Sequence, residues 1–118
     1  MDIVLYIFAG LIVLLFIFRN IPPKGVRQIT ASELRRELKD KSKQYIDVRT
    51  PQEFKTRNIP GFKNYPLNIL PKKLNELEKD KEVVVICQSG MRSRQACKIL
   101  INAGFKKVTN VKGGMNMF

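Results

Sequence analysis

Apolar and polar positions divide the chain into two unlike parts. From Ile3 to Phe18, sixteen residues pass without a charge, as IVLYIFAGLIVLLFIF. No polar face interrupts the run, so it does not read as an amphipathic surface helix. As a helix it is about 24 Å long at ~1.5 Å per residue, short for a hydrocarbon core of ~30 Å. Asp2, Arg19 and Asn20 suit the two interfaces, and local bilayer thinning absorbs the mismatch. The expectation is a transmembrane anchor over residues 1–19. A cleaved signal peptide would want a basic start and a small-x-small site, whereas this chain has Asp2 and then FRNIPPKG. A buried core helix would have to be apolar all round in a small domain. Arg19, Lys24 and Arg27 follow the run and no basic residue precedes it. The positive-inside rule then predicts a single-pass cell-membrane protein with its C-terminal domain in the cytoplasm.

After the run comes a breaker-rich link, NIPPKG, over 20–25. Residues 26–118 form the second part. Thr30 with Glu33 makes a capping box ahead of the apolar stripe Leu34 and Leu38, which predicts a short helix. Gln44–Val48 (QYIDV) reads as a strand. Thr50, Pro51 and Glu53 repeat the helix-start signal. Asn58–Asn68, with two prolines, reads as an irregular loop, and Leu74 and Leu77 mark a helix from about Pro71 to Lys79. Glu82–Cys87 (EVVVIC) is the unbroken apolar run of a parallel strand covered on both faces. A helix is expected over Arg92–Asn102, stopped by Gly104, then a last strand in KVTNV and a turn at Gly113–Gly114. Strands alternating with helices predict an α/β domain with a small, mainly parallel sheet flanked by helices.

A chain of 118 residues allows one domain of ordinary size. Its formal net charge of +12 points to anionic partners: lipid headgroups, nucleic acid or a small anionic substrate. The lysines are scattered, with no aromatic-basic platform or recognition helix, so no nucleic acid is expected. A domain held at an anionic leaflet explains the charge more simply. Two cysteines are too few for a disulfide framework and read as free thiols. The absence of histidine excludes Ser-His and Cys-His dyads and the common zinc sites.

The chemistry concentrates in CQSGMRS, Cys87–Ser93. Ligands of parallel α/β sheets bind at the carboxyl ends of strands, and Cys87 stands at such an end. The turn into the next helix would bring several N–H groups of residues 88–92 inward, forming an anion-holding nest at a helix N-terminus. Such a nest favours a thiolate. Gly90 permits the tight curl, Arg92 adds a fixed charge, and Ser89 and Ser93 can donate hydrogen bonds. A nucleophile can thus be built without a histidine base. Read alone, Cys87 fits a small buried hydrophobe equally well.

The loop resembles the Cys-x-x-Gly-x-Arg-Ser loop of single-domain rhodaneses, a sulfurtransferase family. YIDVRTPQEF (Tyr45–Phe54) is similar to the family's Asp-Val-Arg-x-x-x-Glu segment, NIPGFKNYPL (Asn58–Leu67) to its His-Ile-x-Gly-Ala-x-Asn-x-Pro segment, and VKGGM (Val111–Met115) to its closing Gly-Gly segment. The resemblance covers about residues 26–118. It implies transfer of a sulfane sulfur from a small anionic donor such as thiosulfate to a thiol or other thiophilic acceptor, possibly a protein. Cys87 would carry a persulfide held by Gln88, Ser89, Gly90, Met91, Arg92 and Ser93, with Gln88 and Met91 flanking the donor. No metal or organic cofactor is implied. Four residues lie between Cys87 and Arg92, where phosphatases of related fold have five, and the shorter loop suits one sulfur atom rather than a tetrahedral phosphate. The alternatives are a membrane-tethered binding module without turnover and, further off, a phosphatase or arsenate reductase on the same scaffold. The chain departs from the family pattern at Asn58, Phe62 and Phe118, where His, Ala and Trp are usual.

Four other residues carry two readings each. Asp47 and Arg49 either shape the substrate mouth or belong to a structural ion-pair network with Glu53. Arg94 either raises the potential for an anionic donor or is a solvated helix residue. Cys97 is read as a small core residue, since the helix carries it away from the loop, although a resolving cysteine is conceivable.

Overall fold

The computed structural model describes residues 2–20 and 24–118. The first element, α1 (Asp2–Asn20), carries the uncharged run, and its apolar side chains are exposed, Ile3 and Tyr6 by 73% and 74%. Among the described residues no helix is long and apolar enough to cross a membrane. The transmembrane helix expected over 1–19 is therefore not supported as a span, and the reason is length: sixteen uncharged residues make about 24 Å of helix against ~30 Å of hydrocarbon. Of the linker expected over 20–25, Ile21, Pro22 and Pro23 lie outside the described residues.

From Val26 onward the chain alternates strands and helices: β1 (Val26–Ile29), α2 (Ala31–Glu37), β2 (Gln44–Asp47), α3 (Pro51–Thr56), β3 (Lys63–Asn64), α4 (Leu70–Lys73), β4 (Val83–Ile86), α5 (Met91–Asn102) and β5 (Val108–Val111). A 3-10 turn at Leu74–Glu76 follows α4, and another at Gly114–Met117 closes the fold. All five strands are parallel, in the order β1-β5-β4-β2-β3. The central strand β4 is buried at every residue, as its unbroken Val-Val-Val-Ile run requires. Its residues alternate between two cores. Val83, Val85 and Cys87 join Ala96, Cys97 and Leu100 of α5 and Leu70 of α4 on one face. Val84 and Ile86 join Leu34 of α2, Tyr45, Phe62 and Met115 on the other.

Both predicted capping boxes form. Thr30 and Glu33 exchange hydrogen bonds at the start of α2, and Thr50 and Glu53 do so at α3, where Pro51 takes the first turn. Three features differ from the sequence expectation. β1 pairs with β5 at the sheet edge, and its Val-Arg-Gln-Ile carries two polar residues in place of an apolar run. β3 lies inside the expected 58–68 loop and is only two residues long. The helix expected over 71–79 is a single turn from Leu70 that tightens into the 3-10 turn.

Candidate active site

At the end of β4 the chain turns sharply into α5. Cys87 closes the strand and is fully buried. Gly90 has φ 106° and ψ −9°, a conformation that strains any residue with a Cβ. In it, the Gly90 N–H donates to Cys87 Sγ at 2.9 Å. Gly90 is also the N-cap of α5 and supplies no capping side chain. The first-turn N–H groups of a helix have no intrahelical acceptor. The sulfur thus accepts from the N-cap backbone at the positive end of a twelve-residue helix. Ser93 is buried beside it, with Oγ 3.4 Å from Sγ, and its hydroxyl donates to the Gly90 carbonyl at 3.0 Å.

The loop backbone is held from outside by the closing 3-10 turn. Met115 N–H donates to the Cys87 carbonyl at 2.8 Å and Asn116 N–H to the Gln88 carbonyl at 3.0 Å. The Gln88 side chain donates to Asn116 Oδ1 at 2.6 Å. This close approach needs glycine at 114: a Cβ there would stand 2.1 Å from the Cys87 oxygen. With these two carbonyls bound outward, the N–H of Gly90 remains directed at the sulfur. The sequence marks Gly113–Gly114 as a turn and as the closing Gly-Gly segment of the family resemblance, without the contact it makes to the loop. The sequence signal was present, a double glycine straight after a predicted strand, but its partner is more than twenty residues away.

Asp47 and Arg49 form a buried pair, Nη2 to Oδ2 at 2.8 Å, with side chains only 1% and 3% exposed. The guanidinium also donates to the Arg57 carbonyl at 2.6 Å and to Gln88 Oε1 at 3.2 Å. The pair therefore anchors the first loop residue after Cys87. It does not include Glu53, so the expected network is differently wired. Glu53 instead receives both terminal nitrogens of Arg92, at 2.7 and 2.9 Å. The Arg92 guanidinium and the Thr50 cap hold the Glu53 carboxyl down at about 2. Arg92 thus ties the start of α5 to the start of α3, and its charge reaches Cys87 as a field. Ser89 and Met91 lie exposed at the rim, Met91 by 67%. A cleft lined by Arg49, Gln52, Glu53, Thr56, Arg57 and Gln88 opens on this side of the loop. Arg94, half-buried, faces the opposite flank with Ser89 and Gly90. Cys97 is buried in the α5 core, and burial, with a smaller push from Cys87, raises its thiol to about 12.

Residues 30–118 match the rhodanese-like domain family. The chain belongs to the rhodanese-like family. Among its relatives is a sulfurtransferase of Allochromatium vinosum, 36% identical over 91 residues, covering 76% of this chain and 85% of that protein. Thiosulfate sulfurtransferase GlpE of Pseudomonas syringae is 30% identical over 101 residues, covering 86% and 87%. The crystal structure of a rhodanese-like domain protein from Staphylococcus aureus superposes with a TM-score of 0.73 at 33% identity, covering 78% of this chain and 90% of that one. The family carries sulfurtransferase activity, and the fold here is a rhodanese-like parallel sheet flanked by helices.

The three departures from the usual rhodanese pattern lie outside the sulfur-holding loop. Asn58 donates to the Phe54 carbonyl at 2.9 Å, which closes the end of α3. Phe62 packs its ring on Tyr45 with centroids 5.3 Å apart. Phe118 joins the core beneath α2, with the Arg35 guanidinium 3.9 Å above its ring.

Proposed function

We propose that this chain is a sulfurtransferase that carries sulfur as a persulfide on Cys87, with thiosulfate as a donor. The single observation that carries the reading is the Gly90 N–H aimed at a buried sulfur at the start of α5. In the first step the Cys87 thiolate attacks the outer sulfur of thiosulfate. A new S–S bond forms, the donor's S–S bond breaks, and sulfite leaves with its electron pair. The persulfide keeps one negative charge, and the loop N–H groups stabilise it. In the second step a thiophilic acceptor, cyanide in the assay or a thiolate in the cell, attacks the outer sulfur and frees the Cys87 thiolate. Gln88 through Ser93 surround the transferred sulfur. Arg92 acts through its field and by fixing the loop, because Glu53 takes its terminal donors. That pairing also argues against a phosphatase or arsenate reductase, which would need the guanidinium on the oxyanion. A tethered binding module without turnover would not need the sulfur so cradled. Steady-state thiocyanate formation over a grid of thiosulfate and cyanide tests this. Parallel double-reciprocal lines support the cycle. Turnover of a phosphate ester without sulfur transfer would contradict it.

We propose further that α1 holds the domain at the cell membrane, with residues 24–118 on the cytoplasmic side. The exposed apolar side chains from Ile3 to Phe18 and the basic residues that follow support this. In fractionated cells the full chain is expected in the membrane pellet after an alkaline wash, and Leu11→Arg with Leu14→Arg should release it. A wild-type chain found wholly in the wash would contradict the proposal.

A further inference from the structure

All five strands run parallel, so the loops that lead into them lie at one end of the sheet and Cys87 lies at the other. Hydrogen bonds tie these entry loops together. Lys106 N–H donates to the Lys79 carbonyl at 3.3 Å, Val83 N–H to the Lys107 carbonyl at 2.9 Å, and the Gln44 side chain to the Glu78 carbonyl at 2.8 Å. Six exposed lysines stand on them: Lys24 before β1, Lys39 and Lys41 before β2, Lys79 before β4, and Lys106 and Lys107 before β5. The carboxylates of this end are engaged with other groups. Glu37 and Glu82 pair with Arg27 and Lys43, Glu78 pairs with Lys81, and Asp40 accepts from Ser42. Among the described residues none of the six lysines is in an ion pair. Asp40 and Asp80 are the acids of this end that also lack one, so unpaired positive charge is in excess there.

The same end carries the tether. α1 ends at Asn20 and β1 starts at Val26, and six residue steps reach at most about 21 Å. With α1 in the bilayer, the basic end is held within that distance of the lipid surface. Lysine suits such a surface, because a compact charge on a flexible stem meets mobile headgroup phosphates without fixed geometry. Tyr45 and Phe105, the aromatic residues near this end, are buried, so neither can stack on a base. We propose that the strand-entry end of the domain docks on an anionic lipid surface through these lysines and thereby turns Cys87 away from the bilayer. Four residue steps along β4, at ~3.3 Å each, put the nucleophile about 13 Å further from the lipid than the docking loops. Sulfur donor and acceptor then reach it from the water side and not from the lipid. This inference rests on the membrane reading of α1 and not on the sulfur-transfer reading.

The test is lysine acetylation of the full chain in nanodiscs of phosphatidylcholine, alone or with about one-third phosphatidylglycerol, read residue by residue by mass spectrometry. Each lysine at an anionic surface contributes about fivefold in affinity, so labelling of Lys79, Lys106 and Lys107 should fall by at least about that factor in the anionic discs. Lys55 of α3 and Lys112 beside the Cys87 loop are the internal controls and should change by less than about twofold. The protection should vanish at 1 M salt, where the screening length is ~3 Å. Lys106→Gln with Lys107→Gln, both exposed, should restore Lys79 labelling towards its phosphatidylcholine level and leave sulfur transfer unchanged. Equal labelling in the two discs, or a loss shared equally by Lys55 and Lys112, would overturn the docking. Equal protection of the same lysines by an RNA duplex on phosphatidylcholine discs would overturn it in favour of a nucleic-acid surface. A chain that fails to co-elute with either disc would overturn the membrane reading of α1 and the docking with it, whereas a chain that co-elutes but labels alike overturns the docking alone.

Discussion

Cys87 at the end of β4 and Cys97 in the middle of α5 are ten residues apart, both free and both fully buried in the same core. Their surroundings differ in one respect. Around Cys97 the helix backbone is spent on its own hydrogen bonds, and burial, with a smaller push from Cys87, drives the thiol up to about 12. Around Cys87 the backbone has just left the sheet and has not yet closed the helix, so an N–H is available and points at the sulfur. Burial makes a thiol inert, while burial beneath oriented N–H groups makes an anion site. The difference comes from where the secondary structure begins and ends, and the residue type is the same at both positions.

Several changes break or sharpen that contrast. The largest effect is expected from the cysteines themselves. Cys87→Ser should lower thiocyanate formation by at least about a thousandfold, and Cys97→Ala should leave it within about twofold. With the native protein at pH 8, iodoacetamide should modify Cys87 alone, and Cys97 only after unfolding, which peptide mapping would show. Next is the support under the loop. Gly114→Ala places a Cβ against the Cys87 carbonyl, so the closing turn must move. A displacement of about 1 Å at the nucleophile costs on the order of a hundredfold in rate, measured as kcat/KM for thiosulfate. Gly90→Ala meets no close atom, since the nearest is Gly113 N at 3.6 Å, and its cost is conformational. A non-glycine residue at that φ is expected to lose about 1–3 kcal/mol in urea unfolding.

The smallest effect concerns Glu53 and carries a pH signature. Its carboxyl is held at about 2 by Arg92, below its ordinary value of 4.5. The stabilisation is therefore fully present above about pH 4.5 and is lost as pH falls towards 2. Glu53→Gln keeps an N3 residue that can cap but removes the charge. Its deficit in urea midpoint should be clear at pH 6, amount to under about 1 kcal/mol after solvent screening, and shrink as pH falls below 4. A deficit that is constant with pH would mean that the cap, not the ion pair, is what was lost.

Much of this arrangement was legible in the sequence, and for a common reason. The β4 run, the two capping boxes and the Cys87–Ser93 turn are each written within about ten consecutive residues. What stayed hidden depends on residues far apart in the chain. Glu53 and Arg92 are separated by 39 positions, and Arg27 and Glu82 by 55. The clamp of Met115 and Asn116 on the loop runs through backbone groups, which leave no mark in residue type. β1 was missed because Val-Arg-Gln-Ile has polar residues where β4 has an unbroken apolar run, and β3 because two residues are too short to show a period. The N-terminal run was legible as a helix, and its reach was not: sixteen uncharged residues fall short of a span on their own.

The central claim is that the sulfur of Cys87, and not that of Cys97, carries the transferred atom. The most direct measurement is intact mass of the full chain after thiosulfate, beside Cys87→Ser and Cys97→Ala. The account predicts a gain of one sulfur, about 32 Da, in the wild type and in Cys97→Ala, lost on adding cyanide and absent from Cys87→Ser. An adduct that survives Cys87→Ser and disappears in Cys97→Ala would contradict it.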